Sequence, residues 1–263
     1  MDDRPIGVFD SGLGGLTVLR ALIDLLPEEG VVYFGDTGRF PYGPKPRDEV
    51  LAHVLEITDV LLARDVKALV IACNSAAAAA LDTLRERLDI PVVGVIEPGL
   101  RAAARVTRSG RIGVIGTVGT IASGAYQQLA TDDVDVTCAA CPGFVEFVEA
   151  GDVDSDQVHV LAERLLAPVC EAEVDTLVLG CTHYPLLART IGDVMGRDVV
   201  LVSSADETAF AVRDLLTERG MLAAAPSDPG HVFFTSGPVD TFRTLGVRFL
   251  GPEVAAVEPW QWG

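Results

Sequence analysis

The feature that most restricts the fold is an alternation of short β-branched runs with longer helical patterns, and this alternation occurs twice. Strand-like runs are expected at Ile6–Phe9, Val31–Phe34, Ala68–Ala72, Val92–Val95, Ile112–Ile115, Asp135–Cys138, Thr176–Leu179 and Val199–Val202. Ile6-Gly7-Val8 recurs as Ile112-Gly113-Val114, 106 residues on. Val70-Ile71-Ala72-Cys73 recurs as Val178-Leu179-Gly180-Cys181, 108 residues on, and Val92-Val93 as Val199-Val200, 107 on. Between the runs lie helical patterns. Over Arg47–Arg64, apolar Val50, Val54, Ile57 and Leu61 recur at steps of four and three, and Leu51, Leu55 and Leu62 widen the stripe. Near-continuous apolar strands separated by amphipathic helices require a parallel sheet covered on both faces.

The expectation is therefore an α/β chain of two pseudo-symmetric, doubly wound parallel-sheet domains with a cleft between them. The first comprises residues 1–97 plus 207–263, the second residues 98–206. The tail outside the repeat is read as one helix around Asp206–Arg219, strands at Val232–Thr235 and Val247–Leu250, and a loop at Ala223–Gly230 rich in Pro, Gly and Asp. It is expected to return and pack on the first half.

Composition narrows the partners. The 263 residues carry 20 Lys and Arg against 38 Asp and Glu, a formal charge of −18. Such a chain repels phosphate backbones, so nucleic acid is not an expected partner. No segment reaches the roughly 18–20 apolar residues of a membrane span. The start, MDDRPIGVFD, is acidic and lacks the apolar stretch of a secretory signal. Five cysteines at 73, 138, 141, 170 and 181 are too scattered for a disulfide framework and fit a reducing cytoplasm.

In open parallel sheets, ligands bind beyond the carboxyl ends of the strands. Five polar clusters fall at that edge. Asp10-Ser11-Gly12-Leu13-Gly14-Gly15 follows the first strand and reads as a tight turn with a capping or acid–base carboxylate; it is neither a P-loop nor a G-x-G-x-x-G turn. Gly35–Gly43 is a long loop suited either to packing or to wrapping a ligand. Cys73-Asn74-Ser75 opens an Ala-rich helix that Asn74 or Ser75 could cap, and the positive helix start could depress the thiol's pKa. Cys181-Thr182-His183-Tyr184-Pro185 repeats that placement, with Thr182 as the candidate cap and His183 as a proton-transfer group. Gly113–Thr120 is the second repeat's glycine turn, where Thr117 and Thr120 could bind a carboxylate. Cys138-Ala139-Ala140-Cys141 supplies only two ligands with no second pair, and a three-residue step along a strand points its thiols to opposite faces. Neither zinc nor redox chemistry is expected there.

Two thiols at corresponding strand ends would face each other across one cleft. That arrangement suits removal of a proton from one face of a carbon and delivery of a proton to the other. On this argument alone three matters stay open: inversion at aspartate or another small amino acid, a Cys73–His183 thiol hydrolase, and a two-lobed ligand-binding protein.

The segments FDSGLGG, YFGDTGRFPYG, ACNSA, GVIEPG, CPGFVEFVEAG and GCTHYPLL, in this order, resemble those of the glutamate racemase family within the cofactor-independent aspartate/glutamate racemase superfamily. CPGFVEFVEAG departs from the family pattern in having Gly143 and Glu146 where apolar or proline residues are usual. The resemblance implies interconversion of L- and D-glutamate without a cofactor or metal, supplying D-glutamate for peptidoglycan. It further implies two α/β domains enclosing the site, often as a homodimer. By that likeness Cys73 deprotonates the D-isomer and Cys181 the L-isomer. Asp10 and His183 assist the respective thiols, and Glu149 aligns with a further assisting carboxylate. Ser11, Tyr42, Gly43, Asn74, Ser75, Thr117, Thr120 and Thr182, with Asp10 and His183, align with substrate-contact positions. No long N-terminal extension of the kind tied to precursor activation in some members precedes the first motif, so such activation is less expected here.

Overall fold

In the computed structural model, which describes residues 1–224, 230–254 and 256–263, the first half of the chain runs β1 (Ile6–Asp10), α1 (Leu16–Leu25), β2 (Val31–Gly35), α2 (Arg47–Leu62), β3 (Ala68–Ile71), α3 (Asn74–Arg87), β4 (Val92–Gly94) and α4 (Ile96–Val106). The second continues with β5 (Arg111–Gly116), α5 (Val118–Ala122), α6 (Ala125–Leu129), β6 (Asp135–Ala140), α7 (Phe144–Ala150), α8 (Asp156–Glu171) and β7 (Thr176–Gly180). A short 3-10 turn at Tyr184–Leu187 leads into α9 (Ala188–Met195), β8 (Val200–Ser203) and α10 (Ser204–Glu218). The tail adds β9 (His231–Thr235), α11 (Val239–Phe249) and β10 (Val257–Pro259).

All pairings among these strands are parallel. One sheet has the order β10-β9-β2-β1-β3-β4 and the other β6-β5-β7-β8. The run β2-β1-β3-β4 is the same permutation as β6-β5-β7-β8, so the duplication read from the strand offsets is present as topology. In each sheet the chain leaves its first strand to one side and returns on the other. The crevices at these reversals lie beyond β1 and β3 in one sheet and beyond β5 and β7 in the other. β1, β2, β3 and β7 are buried along their whole length, as expected of strands covered on both faces.

The layer between the sheets is built from α4 and α10. α10 packs on α1 and α4, while α4 packs on β7 and β8. Side chains from both sheets, including Val8, Val70, Val114 and Val178, join one apolar cluster around this layer. A second cluster under α7, α8 and α9 covers the other face of the smaller sheet. The strands β9 and β10 extend the larger sheet beyond β2, which returns the tail to the first half as expected.

The tail also corrects the sequence reading. Val247–Leu250 is not a strand: Val247 to Phe249 form the last turn of α11, a second tail helix, and the outermost strand is β10. Phe242 and Gly246 are buried one turn apart while Val247 lies half exposed. The β-branched residue is therefore on the solvent face of an amphipathic helix. Asp240 in its first turn and Arg248 in its last suit the helix dipole. Of the expected loop Ala223–Gly230, residues 225–229 lie outside the described residues.

Candidate active site

The ends of β1, β3, β5 and β7 carry Asp10, Cys73, Thr117 and Cys181 to one seam between the sheets. Cys73 is the N-cap residue of α3 and is nearly buried, at 6% exposure; Cys181 follows β7 at 8%. Both thiols open on one cavity of about 20 Å³, lined also by Ser11, Tyr42, Gly43, Asn74, Ser75, Thr117, Thr182 and His183. That volume holds about one water molecule. Asp10, Thr120 and Glu149 do not line it but stand one layer behind, against residues that do. Phe40, Pro41 and Val145 complete the lining. They lay inside the quoted motifs, but an apolar wall has no chemical signature to single it out.

The two walls differ in charge. Asp10, fully buried, accepts hydrogen bonds from Gly12 N–H at 3.0 Å, Ser11 Oγ at 3.4 Å and Thr182 Oγ1 at 3.3 Å. Burial raises its pKa, with the charge of His183 and these hydrogen bonds working in the opposite direction. The Cys73 thiol donates to Ser11 Oγ at 3.5 Å. Its pKa is pushed up to about 12, by burial first and then by the Asp10 carboxylate. The Ser11 contact and the Ala76 N–H at the helix start act the other way but lose. The expectation that the helix start would depress this thiol is therefore corrected: desolvation outweighs the dipole.

On the opposite wall, His183 Nε2 meets Glu149 Oε1 at 2.8 Å, and the ring lies between Phe40 and Phe249, with centroids 5.8 and 5.7 Å away. Burial disfavours the imidazolium, yet the neighbouring Cys181 sulfur, Glu149 and the Asp10 charge prevail and lift the pKa to about 10. A carboxylate thus stands behind one thiol and an imidazolium beside the other. Because His183 is hydrogen-bonded to Glu149 while the Cys73 thiol is hydrogen-bonded to Ser11, the Cys73–His183 hydrolase pair is not formed.

The expected caps are also corrected. Asn74, Ser75 and Thr182 make no capping bond; their side chains reach across the seam instead. Asn74 Nδ2 donates to Tyr126 Oη at 2.9 Å. Ser75 Oγ bonds Thr117 Oγ1 at 2.9 Å and Thr120 Oγ1 at 3.2 Å, and Thr182 reaches Asp10. Tyr42 is buried with its hydroxyl donating to Asp36, which also accepts from Arg39 Nε at 2.7 Å, Ser236 Oγ at 2.6 Å and Trp262 Nε1 at 3.1 Å. That hydroxyl, so engaged, is not free to bond a molecule in the cavity. Gly14 faces Thr182 and His183 so closely that a Cβ there would overlap the Thr182 hydroxyl and lie 2.6 Å from His183 Nδ1.

Cys138 lies in β6 and Cys141 just past its end, and the two thiols go to different packing clusters. Among the described residues no group of three or more His, Cys, Asp or Glu side chains could hold a metal ion.

The profile of the Asp/Glu/hydantoin racemase family matches residues 6–212. A curated glutamate racemase from Mycobacterium avium (strain 104) is 55% identical over 262 residues, 97% of this chain and 95% of that protein. The crystal structure of a glutamate racemase isoform from Bacillus anthracis superposes with a TM-score of 0.93 at 44% identity, covering 99% of this chain and 98% of that one. A glutamate racemase from Francisella tularensis, crystallised in complex with D-glutamate, gives a TM-score of 0.92 at 35% identity over the same shares.

Proposed function

The chain belongs to the Asp/Glu/hydantoin racemase family and, within it, stands with the glutamate racemases; from that premise we propose that it interconverts L- and D-glutamate by proton transfer at the α-carbon between two thiols. The observation that carries this reading is the pair Cys73 and Cys181 at equivalent strand ends, both opening on one cavity.

In the L-to-D direction the Cys181 thiolate takes the α-proton, and the electron pair left behind spreads into the α-carboxylate. The Cys73 thiol then delivers its proton to the opposite face, leaving Cys181 as thiol and Cys73 as thiolate. The reverse direction exchanges the roles. A carbon acid this weak needs both groups close and aligned. His183 holds positive charge beside Cys181, and Glu149 keeps that charge in place. Asp10, beside Cys73, is placed to return a proton to that thiolate, and loss of the Cys181 proton to solvent completes the reset. Hydroxyls of Ser11, Ser75, Thr117 and Thr182, with backbone N–H groups near Gly43, are the donors available to the two carboxylates. Thr120 holds Ser75 and Thr117 from behind. The D-glutamate formed supplies peptidoglycan synthesis.

Replacement of either thiol tests the assignment. Cys73→Ser and Cys181→Ser should each lower kcat for racemisation by roughly 10³-fold or more while retaining glutamate binding; near-full turnover by either variant would refute the two-thiol reading. The proposal extends to lobes formed by residues 1–97 plus 207–263 and by 98–206, and to a cytoplasmic homodimer, supported by the family likeness and by five cysteines that are all free. Sedimentation velocity at micromolar concentration tests the dimer, a single monomeric species counting against it. Among the described residues no helix is long and apolar enough to cross a membrane.

A further inference from the structure

Of the side chains lining the catalytic cavity, two carry a buried polar atom with no hydrogen-bond partner among the described residues: His183 Nδ1 and Asn74 Oδ1. Asn74 is 3% exposed and directly follows Cys73. A bare buried acceptor is costly, and such atoms are rare unless a ligand completes them. The other end of the same amide is anchored: Asn74 Nδ2 donates at 2.9 Å to the hydroxyl of Tyr126, a buried residue of α6 on the opposite side of the seam. Burial raises the Tyr126 pKa, so the phenol stays neutral. The same hydroxyl lies against Gly180, only 3.1 Å from where a Cβ would stand, and Gly180 directly precedes Cys181. One side chain thus touches the turn carrying each thiol.

A carboxamide presents either an acceptor or two donors, depending on its flip. We propose that Tyr126 is a positioning residue: it holds the Asn74 amide in the orientation seen, with its N–H on the phenol and its oxygen left for the cavity, where that oxygen accepts from the α-ammonium group of the amino-acid substrate. The inference rests on the racemase reading above. Its chemistry is selective. The cavity hydroxyls and N–H groups suit carboxylates, whereas a cationic N–H donor at the α-carbon needs an acceptor that a freely flipping amide would present only part of the time. The ammonium is common to both enantiomers, so Tyr126 serves both directions equally.

The test compares glutamate with glutarate, which keeps both carboxylates and lacks the amino group. Tyr126→Phe should raise KM for L- and D-glutamate alike, by roughly tenfold for loss of one oriented hydrogen bond to a charged group. The same variant should leave the inhibition constant of glutarate unchanged. Equal weakening of glutamate and glutarate, or no change in either, would overturn the proposal. Asn74→Asp offers an oxygen in either flip and leaves no amide donor stranded. In that background, adding Tyr126→Phe should not alter glutamate affinity measured by calorimetry, and a further loss would contradict the role. This pair also serves if Tyr126→Phe alone folds poorly. Failure of the racemase reading itself would show separately, as a wild-type protein that does not turn glutamate over.

Discussion

Cys73 and Cys181 are related by the internal repeat, but their neighbours have diverged. The sequence announced both thiols, because a Cys after each of two matching strands is a local pattern. It also announced Asp10, His183 and Glu149 through motif likeness. What it could not carry was the outcome of competing electrostatic effects at Cys73. The helix start is visible in Asn74-Ser75 and the Ala run, whereas the burial that lifts this thiol to about 12 is a property of the closed seam. The imidazolium has a measurable consequence. The folded protein holds the His183 proton up to about 10, above the ordinary imidazole value of 6.5. Its contribution to stability is therefore complete below about 6.5 and is lost as pH rises through about 10. Wild-type thermal stability should decline more steeply over that interval than that of His183→Gln, as followed by circular dichroism. Parallel slopes would contradict the assignment. For the same reason kcat/KM should fall on the alkaline side, and Glu149→Gln should move that limb toward neutral pH.

At the scale of elements, strands were the most legible feature: the eight expected before the tail are all present, with ends shifted by a residue or two. Apolar runs between turn signals suffice for that. The error in the tail arose because Val247–Leu250 looks strand-like locally, while the helical spacing that governs it begins earlier, at Val239 and Phe242. The caps differ from the local pattern for a related reason. Asn74, Ser75 and Thr182 have cap chemistry, but partners brought from the other side of the seam, Tyr126, Thr117 and Asp10, take those side chains. The glycine turn after β1 makes a sharper claim. Gly14 permits that turn to lie directly against Thr182 and His183. Gly14→Ala should cost about 1–3 kcal/mol through overpacking and should lower kcat/KM by displacing His183. A fully active, equally stable variant would show that the contact is not needed. Denaturant unfolding and steady-state kinetics on one preparation decide it.

For the whole molecule, the repeat forecast two sheets and a cleft, and the topology bears this out. How tightly the cleft is shut was not legible, since closure depends on contacts between residues far apart in sequence. A cavity of about 20 Å³ between the thiols cannot admit glutamate without widening. The layer of α4 and α10 packs with both sheets, so widening must open the seam on the side of Gly43 and Gly119, where one backbone hydrogen bond of 2.8 Å crosses it. Alkylation should then be ordered: exposed Cys170 reacts first, Cys73 and Cys181 follow slowly, and activity tracks the slow phase. Saturating glutamate should slow that phase further, as read by peptide mass spectrometry; activity lost in step with Cys170 would oppose this picture.

The central claim is that two separate thiols serve opposite faces of one carbon. It is tested most directly by running L-glutamate in deuterated water with the protein free of added cofactor, and following both enantiomers at early turnover by NMR and chiral separation. Cys181 should remove the α-hydrogen of the L-isomer and Cys73 deliver deuterium to the other face. D-glutamate should therefore appear deuterated at Cα while the remaining L-glutamate stays protiated, and L-aspartate should show neither change. Equal deuterium in both glutamate enantiomers from the outset would point to a single base and contradict the account. Exchange with aspartate alone would contradict the substrate.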